Sequence, residues 1–250
     1  MNQTDLIILT VYLISVYYVL RQAWYSIPII SNTVIKHEGN VFDYEALKDF
    51  LDIKFNLGKS YPLNQQLTQL ETTISNKSNT ATLTIDWEKG SLTNFQGGDR
   101  RLFRLIEGMQ KGDQAKIQAS STISPRRSLK VNLTAEDLLE AKEDGGLSAT
   151  KQIVNIEQLA KDQAAKPDPN EKDKAKIKAA QEKIQKLKTI YKNFMDNKEP
   201  LKFSVRFPIQ ITNISEGAKR DSWGFVDCNF SISHVRTNRR DQLPWNPPKK

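Results

Sequence analysis

Two histidines, His37 and His234, one cysteine, Cys228, and scattered carboxylates are the material a catalytic or metal centre could draw on. A Ser–His–Asp relay or a multi-histidine metal site needs more convergent side chains than this. Cys228 alternates with Val226, Phe230 and Ile232, which marks it as a buried structural thiol rather than a nucleophile. Asp86 falls on the outward face of a predicted strand with no second carboxylate in view. Gly97 and Gly98 belong to neither a G-x-x-x-x-G-K-[ST] nor a G-x-G-x-x-G pattern, and they read as a turn. The residues therefore point to no catalytic, cofactor-binding or metal-binding set, and to a protein that is not an enzyme. An enzyme built from Asp, Ser and Arg on separate strands is the weakest of the alternatives.

Interaction chemistry has more to work with. Over residues 171–197 the apolar positions Ile177, Ala180, Ile184, Leu187, Tyr191 and Phe194 recur at spacings of three and four, the seam of a coiled-coil-like helix. Such a seam must be buried, on its own domain, on a second copy or on a partner. Lysines are concentrated around it, and Lys176, Lys183 and Lys186 are expected on the opposite face, positioned to meet anionic lipid headgroups. A lysine-rich solvated face is the plainer alternative. Trp245, in the closing Leu-Pro-Trp-Asn-Pro-Pro, is the other candidate contact. It serves either as part of an extended ligand for a partner's groove or as a plug folded back on the core.

The net charge of +8 comes from this helix and from the C-terminal tail, so the basic character is localised. Nucleic acid fits the charge but no binding motif is present, and the helix's aromatic residues lie in the seam rather than among its lysines. A single cysteine excludes an intrachain disulfide and suits a reducing compartment.

The elements that must position these residues begin with an anchor. Residues 6–20 carry no charge, and continuing the helix to Tyr25 gives about 30 Å, enough to cross the hydrocarbon core. Arg21 can snorkel, and Tyr17, Tyr18, Trp24 and Tyr25 suit an interfacial belt. A core helix or a signal peptide are the competing readings; the acidic Asp5 and the Arg-Gln-Ala-Trp flank argue against the second. Arg21 and Lys36 against Asp5 place the soluble part in the cytoplasm. Five sequons, at Asn2, Asn76, Asn132, Asn213 and Asn229, argue weakly for the other side.

Beyond the anchor the chain reads as mainly β: an antiparallel β-sandwich-like domain carrying a long basic helical insertion. Residues 1–25 form the anchor, and 26–62 a juxtamembrane segment with a short amphipathic helix. Residues 63–161 form the first part of the β domain, 162–199 a linker and the lysine-rich helix, and 200–250 the final strands and the Pro/Trp tail. Period-two alternation is clear in residues 81–88 and clearest in Phe203, Val205, Phe207, Ile209 and Ile211 and in the Val226–Cys228–Phe230–Ile232 series. Pro208 predicts an edge strand or a bulge there.

Two segments carry a resemblance. Residues 85–106 (IDWEKGSLTNFQGGDRRLFRLI) and the closing Leu-Pro-Trp-Asn-Pro resemble a group of uncharacterised cyanobacterial membrane-anchored proteins, over about a third of the chain. The resemblance implies a β-sandwich on a membrane tether in a plasma or thylakoid membrane, and no activity. The expected function is that of a non-enzymatic accessory or scaffold protein docking protein or anionic lipid at the cytoplasmic face. An assembly factor or regulatory subunit of a membrane complex, such as a photosynthetic one, is the alternative.

Overall fold

A computed structural model describes residues 3–26, 30–45, 47–143, 145–166, 174–213 and 221–237. In chain order the elements are α1 (Gln3–Ser26), β1 (Ile30–Phe42), α2 (Leu47–Phe50), β2 (Leu51–Asn56), β3 (Tyr61–Pro62), β4 (Leu70–Asn76), β5 (Ala81–Ile85), β6 (Ser91–Thr93), β7 (Asp99–Leu105), β8 (Ser121–Ile123), β9 (Ser128–Ala135), β10 (Leu139–Ala141), β11 (Leu147–Ala149), α3 (Ile156–Ala164), α4 (Lys174–Met195), β12 (Leu201–Asn213) and β13 (Asp221–Thr237). The chain divides into two compact units, Met1–Asn32 with Val235–Lys250, and Thr33–His234, and the division falls within β1 and β13.

The first unit is dominated by α1, 24 residues and therefore about 36 Å long. Its Asp5–Gln22 stretch has a mean hydropathy of 1.4 and no buried residue, so one helix is long and apolar enough to cross a membrane. Two of its hydroxyls bond within the helix: Thr10 Oγ1 donates to the Leu6 carbonyl and Ser15 Oγ to the Val11 carbonyl, both at 2.8 Å.

The second unit is a large curled antiparallel sheet. Its order is β2-β4-β9-β7-β6-β12-β13-β1-β3, with β5 also on β12 and β8 on β5. The sheet forks at β12, whose Ser204–Arg206 pairs with β6 while Ile209–Asn213 pairs with β5. Pro208 falls between the two partners. β12 is thus a central strand and not the edge its proline predicts. The Pro208 carbonyl accepts from Asp86 N–H at 3.4 Å, so the side of the residue that lacks an N–H faces the fork, where no ladder bond is lost.

The inward series of β12 and β13 is buried as its alternation predicts, in the register Phe203↔Phe230, Val205↔Cys228 and Phe207↔Val226. Strands from opposite ends of the sheet order meet through side chains. Phe55 of β2 lies with its ring 4.8 Å from that of His37 of β1 and 4.7 Å from that of Phe230, which stacks on Phe203 at 4.7 Å and 6°. These aromatic contacts draw the sheet into its curl.

Three segments differ from the sequence reading. The juxtamembrane stretch 26–62 is woven into the sheet as β1, β2 and β3. Its amphipathic helix is only Leu47–Phe50, because Leu51, Ile53 and Phe55 continue with strand periodicity and pair with β4. The stretch 162–174, read as linker, begins inside α3, which starts where the Asn155 side chain accepts from Gln158 N–H at 2.8 Å.

Two outcomes follow. Burial, with Asp227 beside it, pushes the Cys228 thiol up from its ordinary value. A polar alkylating reagent should therefore label Cys228 slowly in the native protein and fast in denaturant; fast native labelling would mean that this face of β13 points outward. A chain beginning at Ile30 should melt cooperatively, whereas one beginning at Gly39, without Thr33, Ile35 and His37, should not. Thermal unfolding followed by circular dichroism compares the two.

Candidate interaction surface

α3 and α4 pack along one another, and both reach the core at the ends that join them to the rest of the unit. Ile156 and Leu159 of α3 are buried, as are Leu187 and Phe194 of α4, with Ile190, Tyr191 and Met195 partly buried against the same core. Ile177, Ala180 and Ile184 are half-buried. The apolar face read from spacing is therefore the face turned inward, most completely at its C-terminal end.

That end is firmly capped. Asn197, in the left-handed region at φ 56°, turns the chain so that its N–H donates to the Phe194 carbonyl at 3.1 Å and Lys198 N–H to the Asn193 carbonyl at 2.9 Å. The Met195 carbonyl accepts from Nδ1 of the buried His234 at 3.1 Å, and the His234 ring lies 5.8 Å from that of Phe194.

α4 carries seven lysines against one acid, Glu182. Lys178, Lys183, Lys186, Lys188 and Lys192 are exposed, and among the described residues no carboxylate lies within ion-pair distance of them. The placement of Lys176 and Lys183 differs from the sequence reading. At about 3.6 residues per turn, Lys176 and Lys183 sit roughly 50–70° from the centre of the seam and Lys188 roughly 70° on its other side, flanking it. Lys178 and Lys186 face away, and Glu182 is nearly opposite the seam. Trp245 lies outside the described residues.

A second polar constellation escaped the sequence reading. It fills the fork between β7 and β8 and uses the segment on which the resemblance rests. Trp87 is buried, and its indole N–H donates to Ser121 Oγ at 2.8 Å. Arg104 also donates to Ser121, and its guanidinium lies 5.9 Å from the Trp87 ring. The Gln118 carboxamide donates to the Leu102 carbonyl at 2.7 Å and accepts from Arg104 N–H at 2.8 Å. Arg101 bridges Glu88 at 2.7 Å and Glu136 at 3.1 Å. The Arg101 bond, then the Gln118 N–H, holds the Glu88 carboxyl below the usual carboxylate range, and Glu88 in turn raises Arg101. Burial pushes Arg104 down.

Asp86 has a structural task here: it accepts from Glu88 N–H at 3.1 Å and pairs with Lys89 at 3.1 Å. Among the described residues no three His, Cys, Asp or Glu side chains converge in a way that could hold a metal ion. A groove of about 730 Å³ beside β7 and β9 sets Arg104 and Lys130 against Glu71 and Glu107, a balanced lining without a nucleophile–base pair.

Because the Glu88 carboxyl is depressed in the folded state, its contribution is present above the ordinary carboxylate pKa and lost as pH falls through the lowered value. Stability should thus decline below about pH 4. Arg101→Gln should cost about 2 kcal/mol at neutral pH by removing charge-assisted bonds, and it should flatten that acid slope. Urea unfolding at pH 7 and pH 3.5 reads both effects. Comparison with protein-family models, with curated proteins and with solved structures finds no match to this chain.

Proposed function

We propose that the protein is a non-enzymatic, membrane-anchored accessory or scaffold protein that presents a basic helix to anionic lipid or a protein partner at the cytoplasmic membrane face. One observation carries the reading. Asp43 N–H donates to the Phe225 carbonyl and the His37 ring lies 5.3 Å from that of Phe230, so β1 and β13 run in opposite directions side by side. Thr33 and His234, the two points where the sheet unit joins the rest of the chain, therefore share one end of the sheet. His234 is also the residue on which α4 ends. α4 therefore ends against the same end of the sheet as Thr33.

The cytoplasmic side rests on Arg21 and Lys36 against Asp5. Membership of the cyanobacterial group, a plasma or thylakoid membrane location, a sandwich-like closure of the curled sheet, and α4 as a basic insertion between β11 and β12 belong to the same proposal. A role in assembling or regulating a membrane complex is the second reading, favoured by the half-buried Ile177 and Ile184, which leave apolar surface for a partner's helix.

The full-length protein should stay in the membrane pellet through alkaline carbonate washing. The chain beginning at Ile30 should bind phosphatidylglycerol vesicles, and Lys176→Gln, Lys183→Gln and Lys186→Gln together should weaken that binding at least about tenfold at low salt, at ~1 kcal/mol per charge. Binding indifferent to both salt and the substitutions would refute the lipid reading.

A further inference from the structure

We infer that the N-terminal half of α4 does more than approach the bilayer electrostatically: it lays Ile177, Ala180 and Ile184 into the interfacial region of an anionic membrane while its C-terminal half stays docked on the sheet. This rests on the membrane-facing reading of α4 above and adds a buried apolar contact to it.

Three observations lead there. The first is a gradient along the seam. Leu187 and Phe194 are buried in the core, whereas Ile177, Ala180 and Ile184 remain half-buried. α3 has nine residues to the 22 of α4, so it spans about 13 Å of a helix about 33 Å long and cannot line all of it. The second is the distribution of charge around the seam. Lys176 and Lys183 flank it on one side and Lys188 on the other, and the one acid of the helix, Glu182, lies nearly opposite. A helix lying in a bilayer surface needs this arrangement: flanking lysines let their methylene stems cover apolar depth while the ammonium groups reach the phosphates, and the carboxylate points to water. Lysines placed only opposite the seam, as a soluble helix pair would tolerate, could not do so. The third is that the exposed lysines Lys178, Lys183, Lys186, Lys188 and Lys192 have no carboxylate partner among the described residues, so a negatively charged surface meets them without breaking an existing ion pair.

The occupant of this face is an anionic lipid surface, because a partner helix would satisfy the apolar positions but leave Lys183 and Lys188 unmatched unless it were itself acidic. The C-terminal half is held back by the Asn197 turn and the His234 bond to Met195, so the motion required is confined to the turns before Leu187.

The test uses the full-length protein reconstituted into vesicles. Because Cys228 is buried, Ile177→Cys and, separately, Lys188→Cys can each be labelled in the native state with a small fluorophore. Melting in detergent first establishes that each variant folds as the parent does. Each sample is then read with acyl-chain-brominated lipid and with a headgroup-attached quencher, in phosphatidylglycerol and in phosphatidylcholine vesicles. The expected result is that acyl-chain bromines quench position 177 at least about twofold in phosphatidylglycerol but not in phosphatidylcholine, while position 188 responds to the headgroup quencher alone. If position 188 meets the headgroup quencher and position 177 escapes the bromines, insertion is overturned and the electrostatic reading survives. If neither position is quenched by either probe, both fall.

Discussion

β12 has two different neighbours on one side and one on the other, and most of the remaining architecture answers to that inequality. A 13-residue strand paired throughout with β13 offers a second edge that β5 and β6 share end to end. Where they meet, the backbone bends away in the short turn of Trp87, Glu88 and Lys89, and a wedge opens between β7 and β8. Left empty it would strand backbone groups in a dry interior, at about 1–3 kcal/mol each. Trp87, Gln118, Ser121, Arg101 and Arg104 fill it, and their bonds are directed, so they fix the angle between the two arms as apolar packing alone would not. Pro208 sits at the same junction, at the one place on a central strand where a missing N–H is harmless.

The curl runs along the main path of the sheet. With β6, β7, β9, β4 and β2 carried round on one side of β12 and β13 and β1 on the other, the aromatic residues of β2 and β1 arrive within contact of each other. The curled sheet is held by ring contacts, with Phe230 shared between both groups. The helices complete the unit at one end, where Phe194 and Leu187 join the same core.

What could be read in the sequence was whatever depended on near neighbours. The alternation of β12 and β13 and the seam of α4 are local periodicities, and side-chain burial follows them residue by residue. β1 was hidden because its inward positions mix Thr33, Ile35 and His37, two of them polar and bonded, Thr33 to Gln66 and His37 to Asn40. Gly39 then breaks the pattern at a positive φ of 136°. α3 has only Ile156 and Leu159 as buried anchors amid Lys, Asp and Gln, too few to show a period. The fork lay beyond local rules altogether, since its partners are spread from Trp87 to Glu136 and meet only through topology. Lys176 and Lys183 flank the seam of α4 although the sequence reading sets them opposite it, because counting charges on a helix does not reveal their angle to the seam.

The passage from α1 to β1 has a mechanical side. Only three residues separate Ser26 from Ile30, and β1 is an interior strand with β13 on one edge and β3 on the other. A pull along the axis of β1 acts perpendicular to its hydrogen bonds and loads them in shear. Bonds loaded in that direction share the load along the strand and must fail together, whereas a terminal strand pulled sideways would peel one bond at a time. Held on both edges, β1 therefore resists a load along the chain as a unit rather than from one end.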